Sequence, residues 1–362
     1  MDAGQEETEK LLEQIEKDVI DFYSAAKDDI EKKFNDFNRK FNVKDKIKRK
    51  QLKAGEITQE EYNKWRQGQL MAGNRWKQQL DVLSTDLLNA HNIAKSIVNG
   101  YIPEAYAIGH NFGTYQIESG IQMGTSYTLY DRQTVERIIK DNPQLLPELN
   151  PLSETAQKIA DGKIKKWEQK QIQSNCLQGI LQGESIPQIA ERISNITQQE
   201  AKSTIRYART MTTGAENAGR TDSYKRAEDM GIEMEQQWLA TLDGRTRHSH
   251  RQMDGEHKPV GELFSNGCRF PGDPKGPANQ IWNCRCCLIP MLTGIPELEE
   301  DNGLSKLEAR ETSKLNESYQ DWKKGHGKSE PILKQKETGE AIKWAFIKQY
   351  KEASERLKDV KI

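Results

Sequence analysis

Apolar residues recur at spacings of three and four through most of the chain, the signature of helices that bury one narrow stripe. From about Thr8 to Val43 the stripe is Ile15, Val19, Phe22, Ala26, Ile30, Phe34, Phe37 and Phe41. It predicts one long amphipathic helix that packs on a partner helix, on another subunit, or back on its own chain as a hairpin. Gly55 breaks the pattern, and Thr58 with Glu61 forms a capping box for a second helix. That helix carries Tyr62, Trp65, Leu70 and Trp76 and continues through Leu80, Leu83, Leu87 and Leu88. Between Ile93 and Ile121 the helical spacing is interrupted by Gly100, Pro103, Gly109, Gly113 and Gly120, which predicts several shorter helices. Pro143, Pro147 and Pro151 mark a connection. Ile159, Ile164, Trp167, Ile172 and Leu177 then resume the helical period, Gly183 to Ile193 reads as a turn and a short helix, and a further helix from Gln198 to about Met230 ends at Gly231.

After Glu233 the period changes. Trp238-Leu239-Ala240-Thr241-Leu242 is strand-like, and Gly261, Gly267, Pro271, Gly272, Pro274, Gly276 and Pro277 follow it. This predicts a loop-rich module with a few short strands. In the polar tail beyond Gly294, Leu304, Leu307, Leu315, Tyr319 and Trp322 suggest one helix and Trp344, Phe346, Ile347 and Tyr350 another, with Gly325-His326-Gly327 as a linker between them. The fold class is therefore mainly α-helical with a small α+β, loop-rich C-terminal module. The expected division is a helical N-terminal region over residues 1–145, a domain over 152–292 that contains the module at 235–292, and a polar helical tail over 293–362.

Composition sharpens this picture. Charged residues make up 30% and hydrophobic ones only 35%, so much of the chain must face water. The net charge of -1, from 54 basic and 55 acidic residues, argues against a globally basic nucleic-acid binder but leaves room for local patches. One such patch is Lys44, Lys46, Lys48, Arg49, Lys50 and Lys53, in which Lys46, Lys48, Arg49 and Lys50 are candidates for contact with the phosphates of double-stranded DNA. A solvated helix face is the alternative, and Asp45 interrupts the run. No apolar stretch reaches the roughly 18 residues of a membrane helix, and the polar start from Met1 to Glu6 does not read as a signal peptide. A soluble protein made in a cytoplasm, without a membrane partner, is the expectation.

The chemistry is concentrated between Trp238 and Cys287, where three of the six His and four of the five Cys fall. Odd in number and clustered, the cysteines fit thiols or metal ligands better than a secreted disulfide framework. His250, Cys284, Cys286 and Cys268 are the candidate ligands of a structural zinc, with His248 or His257 as substitutes. Cys284 and Cys286 are separated by one residue, so binding one metal is expected to need a bent backbone, and Cys287 would point the other way in an extended segment. A metal-free module ranks ahead of it, with His250 hydrogen-bonded to Asp243 or Asp254, Arg285 paired with a carboxylate and the cysteines as small buried fillers, and a disulfide from Cys268 to one of the final cysteines ranks behind. A further reading makes Asp243, His250 and Asp254 a hard-metal hydrolase site, nuclease-like in its chemistry. No HExxH helix, Walker loop or dinucleotide glycine pattern accompanies it, and the Asp-Gly pairs at 243–244 and 254–255 are ordinary turn formers. Arg206 and Arg209 could meet phosphate or pair with Glu216 or Asp222. His91 and His110 read as isolated polar helix-surface residues, and Cys176 as a small core residue.

Arg206-Tyr207-Ala208-Arg209-Thr210, Asn217-Ala218-Gly219-Arg220, Trp238 to Asp243, Arg245-Thr246-Arg247, His250, Met253-Asp254-Gly255 and Asn283-Cys284-Arg285-Cys286 occur here in order. In that combination the region from about Ile159 to Pro290 resembles the head morphogenesis domain of tailed bacteriophages, the family typified by the F protein of phage Mu. The resemblance implies a non-enzymatic minor head protein, incorporated during procapsid assembly at the portal vertex. Its implied partners are the portal protein, a scaffold or major capsid protein, and double-stranded DNA; its implied location is the virion, with the host cytoplasm during assembly. Arg209, Trp238, Asp243, Arg245, His250, Asp254, Asn283 and Arg285 would then organise the module. Many relatives carry Cys-x-x-Cys where this chain has Arg247-His248-Ser249-His250, and a histidine before the final cysteines where it has Ile281. A full tetrahedral zinc site therefore does not carry over.

Overall fold

The expected long helices form, and a computed structural model shows where they stop. It describes residues 1–121, 129–149, 152–293 and 312–326. The helices are α1 (Ala3–Phe37), α2 (Arg39–Lys53), α3 (Gln59–Leu70), α4 (Gly73–Ile121), α5 (Arg132–Asp141), α6 (Glu154–Leu181), α7 (Ile186–Ser194) and α8 (Ile196–Asp229). The module follows with β1 (Met234–Leu239), α9 (His248–Gln252), β2 (His257–Pro259), α10 (Ala278–Ile281) and β3 (Cys287–Leu292), and α11 (Thr312–Gly325) comes last. The class is mainly α-helical with a small α+β module. The second tail helix and Leu304 and Leu307 lie outside the described residues.

Three boundaries differ from the periodicity, each for a local reason. The first stripe is split at Asn38, whose buried side chain donates to the Phe34 carbonyl and competes with the helix ladder. The second is split after Leu70, where Gly73 adopts a left-handed φ of 74°. The glycines between residues 100 and 120, by contrast, break nothing: α4 runs through them and through Pro103 as one helix of 49 residues. Their role is close approach. A Cβ on Gly109 would overlap the Glu216 carbonyl, and one on Gly219 the Tyr106 carbonyl, so α4 and α8 cross backbone to backbone. Capping explains the clean starts elsewhere. Thr58 with Glu61 and Ser185 with Gln188 form full capping boxes, and Gly231 at φ 86° follows the end of α8.

The chain forms two compact units that interleave along the sequence, with α1, α4 and α8 contributing to both. One comprises described residues 18–96 and 152–204. Its core is built from Phe34, Leu83, Leu87, Ile172, Ile180 and Ile193, among others. Buried Arg66 there pairs with Asp45 at 3.3 Å, and Tyr62 donates to the same carboxylate at 2.7 Å. Glu168 is fully buried in this unit, with neither carboxylate oxygen meeting a side-chain partner. Burial first, then the nearby Glu200 charge, pushes its pKa up to about 9. His91 lies beside them and pairs with Glu200 at 2.9 Å.

The other unit comprises described residues 1–17, 97–121, 129–149, 205–293 and 312–326. Its sheet is antiparallel in the order β2-β1-β3, with Gln236 opposite both Lys258 and Pro290 and Trp238 opposite Leu288. On α11, Tyr319 meets Phe112 edge-on at 5.1 Å and the Trp322 indole donates to Glu118 at 2.6 Å. His110 is not a surface residue. It is fully buried and stacked on Tyr130 at 3.6 Å, and burial lowers its pKa to about 3, which keeps the imidazole neutral.

Candidate functional site

Three side chains singled out by composition meet in space. His250 sits on α9, while Cys284 and Cys286 lie on the segment that leads from α10 into β3. Their ligand atoms all lie within 4.8 Å of one another. The His250 Nδ1 atom is 3.6 Å from Cys284 Sγ and 3.4 Å from Cys286 Sγ, and the three residues are only 1%, 2% and 3% exposed. Cys284 and Cys286, two residues apart between the Asn283 turn and β3, thus reach the same imidazole. Cys287 faces away, its thiol directed at Asp2 at 3.8 Å. Asn283 supplies the entry turn with φ 55°, in a left-handed region that asparagine tolerates better than most residues. The Asn283 N–H donates to Thr210 Oγ1 at 3.1 Å.

Surrounding groups fix the imidazole. Gln280 Oε1 accepts from Ser249 Oγ at 3.0 Å and from His250 Nε2 at 3.1 Å. A carbonyl oxygen only accepts, so the ring proton sits on Nε2 and the Nδ1 lone pair faces the two sulfurs. Trp238 packs edge-on against the ring at 5.4 Å. The Cys284 thiol hydrogen-bonds to the Cys286 sulfur, so Cys286 is the more acidic of the pair and Cys284 the less.

The cysteine segment is held along its backbone by α8. Thr213 donates to the Cys284 carbonyl at 2.9 Å, and Asn217 receives the Leu288 N–H at 2.8 Å while donating to the Cys286 carbonyl. One helical turn on, fully buried Arg220 grips both oxygens of Asp2, at 2.8 and 2.9 Å, as well as Glu216 and the Leu288 carbonyl. Sequence reasoning gave Gln280, Thr213 and the Arg220–Asp2 pair no role. Asn217 and Arg220 stood in the quoted motif, but only the fold shows what they touch.

The remaining candidates separate. Asp243 holds Arg285 in a two-pronged ion pair at 2.6 and 2.7 Å, which keeps its carboxyl well below the usual carboxylate range. It also accepts the Arg245 N–H at 2.8 Å, and the exposed Arg245 side chain pairs with the same carboxylate at 3.7 Å. Asp254 accepts the Ala240 N–H at 3.0 Å. His250 therefore bonds neither aspartate, and Asp243, His250 and Asp254 do not converge as a hard-metal site. Cys268 lies apart from the cluster, under Gly276, and His257 pairs with Glu235 on the sheet. Arg209 reaches Glu16 on α1 at 2.7 Å, and Arg206 lies over the Trp282 ring at 5.3 Å, so neither pairs with Glu216 or Asp222. In the basic run, Lys46 and Lys50 are exposed and Lys48 half-buried, whereas Arg49 turns inward to Asp45 and the Glu184 carbonyl.

Residues 170–289, which contain the whole constellation, match the family model described as Phage Mu protein F like protein. That third of the chain is similar to the phage Mu F-like family. Minor head protein GP7 of Bacillus phage SPP1 is 24% identical over 300 residues, which are 80% of this chain and 88% of that protein. NAD(+)--arginine ADP-ribosyltransferase EFV of Enterococcus faecalis is 29% identical over 247 residues, 65% of this chain. An uncharacterized protein of Haemophilus influenzae is 26% identical over 200 residues, 55% of this chain. The chain spans only 46% of the transferase and 39% of the Haemophilus protein. No solved structure matches it.

Proposed function

We propose that this Mu F-like chain is a minor head protein of a tailed phage or prophage, built into the head during procapsid assembly at the portal vertex. One observation carries the reading: the similarity to the SPP1 minor head protein runs through most of both chains, not through a shared fragment. The site's construction supports it. Asp243, Arg285, Asp254 and Arg220 are each committed to holding backbone or an opposite charge, the arrangement of a frame rather than of a reaction centre. The name of the Enterococcus relative describes that protein, more than half of which lies outside the match.

In this reading the helical forepart docks on the portal or on scaffold and capsid proteins. Lys44, Lys46, Lys50 and Lys53, exposed on α2, face packaged DNA. The test is mass spectrometry of procapsids and mature particles purified from an induced lysate. A fixed, low number of copies in both supports the reading; absence from both particle forms overturns it.

A further inference from the structure

We propose that His250, Cys284 and Cys286 bind one Zn2+ ion through three protein ligands, with the fourth position taken by a small exogenous donor such as water. The distances carry the argument. With Zn–S near 2.3 Å and Zn–N near 2.0–2.1 Å, a tetrahedral angle separates a sulfur and a nitrogen ligand by about 3.5 Å. The two sulfur–nitrogen separations, 3.4 and 3.6 Å, bracket that value. Ordinary packing does not require three donor atoms to stand at a metal's coordination edges.

Orientation, charge and softness agree. Gln280 holds the proton on Nε2, which aims the Nδ1 lone pair at the point the sulfurs share, the usual outer-shell arrangement of a metal-bound histidine. Two thiolates and a neutral imidazole carry two negative charges, which a divalent ion cancels in a pocket that is almost closed to water. The donors are sulfur and nitrogen, which select zinc over magnesium or calcium. The nearby carboxylates are already used, Asp243 by Arg285 and Asp254 by the Ala240 N–H. Among the described residues no fourth His, Cys, Asp or Glu joins the group. Cys268 and Cys287 face other partners, which is why the fourth ligand comes from outside the chain. Binding releases the thiol protons to solvent as the sulfur–zinc bonds form.

The experiment uses the full chain. Apo protein, prepared with chelator and checked for native circular dichroism, is titrated with Zn2+ against a colorimetric competitor and separately with Co2+. One equivalent of zinc and a thiolate-to-cobalt charge-transfer band are expected. Cys284→Ser, Cys286→Ser and His250→Ala should lose the band, Cys268→Ser should keep it, and Gln280→Leu should weaken zinc binding about 10- to 100-fold. A folded wild-type chain that takes up no zinc overturns the proposal, as does loss of the band in Cys268→Ser. If the ligand variants do not fold, the wild-type titration and the Cys268→Ser and Gln280→Leu variants still decide it.

Discussion

Replacing Arg220 by Met tests how the module is joined to its helical frame. The guanidinium is fully buried and makes five hydrogen bonds: two to Asp2, two to Glu216 and one to the Leu288 carbonyl. It also lies 4.9 Å over the Phe112 ring. Methionine keeps the volume and the ring contact but leaves two carboxylates facing each other without a cation. Removing one partner of a buried ion pair costs about 3–5 kcal/mol, and Arg220→Met is expected within that range. Most of the cost is the stranded charge, so the triple variant Asp2→Asn, Glu216→Gln, Arg220→Met should recover all but about 1 kcal/mol. Hydrogen exchange at the β1 and β3 amides in increasing urea reads the effect in the unit concerned, whatever the other unit does. A loss below about 1 kcal/mol in Arg220→Met, or a triple variant as unstable as the single one, would refute the reasoning.

Three further outcomes follow from the same structure. Glu168 has a raised pKa, so the folded state holds its proton from the ordinary carboxylate range up to about 9 while the unfolded chain releases it. Wild-type stability should therefore fall across that window by up to about 1.4 kcal/mol per pH unit relative to Glu168→Gln; parallel pH profiles in urea unfolding would contradict this. Gly109→Ala should destabilise by about 1–3 kcal/mol despite alanine's better helix propensity, because its Cβ strikes the Glu216 carbonyl. Gly68→Ala and Gly162→Ala, with open space around them, should gain up to about 1 kcal/mol, all three read as shifts in urea midpoint. Asp243→Asn should speed amide exchange and protease cleavage over residues 241–247 while the sheet stays protected, since it loses the two-pronged grip on Arg285.

Helix positions were legible in the sequence because Ile15, Val19, Phe22, Ile30 and Phe34 repeat at helical spacing and are all buried. The capping box at Thr58 was likewise legible, being a contact over three residues, whereas the one at Ser185, of the same spacing, lies in a stretch that reads only as a turn and a short helix. The glycines of α4 could not. A glycine that breaks a helix and one that admits a neighbouring backbone look alike until the partner, here α8, is known. At the site, clustering of His and Cys drew attention to His250, Cys284 and Cys286, and the family motif included Asn217 and Arg220. The choice of ligands needed the fold, which puts Cys284 and Cys286 beside His250 and turns Cys287 toward Asp2. Gln280 and Asp2 touch the site across 30 and more than 200 residues of chain, and no local pattern marks such contacts.

Affinity purification of the tagged full-length chain, co-expressed with the portal protein of the same phage genome, tests the central claim most directly. The account predicts a stable complex at a fixed ratio with fewer copies of this chain than of portal subunits, surviving gel filtration. A folded chain that elutes alone, with the portal ring intact and unoccupied, would contradict it.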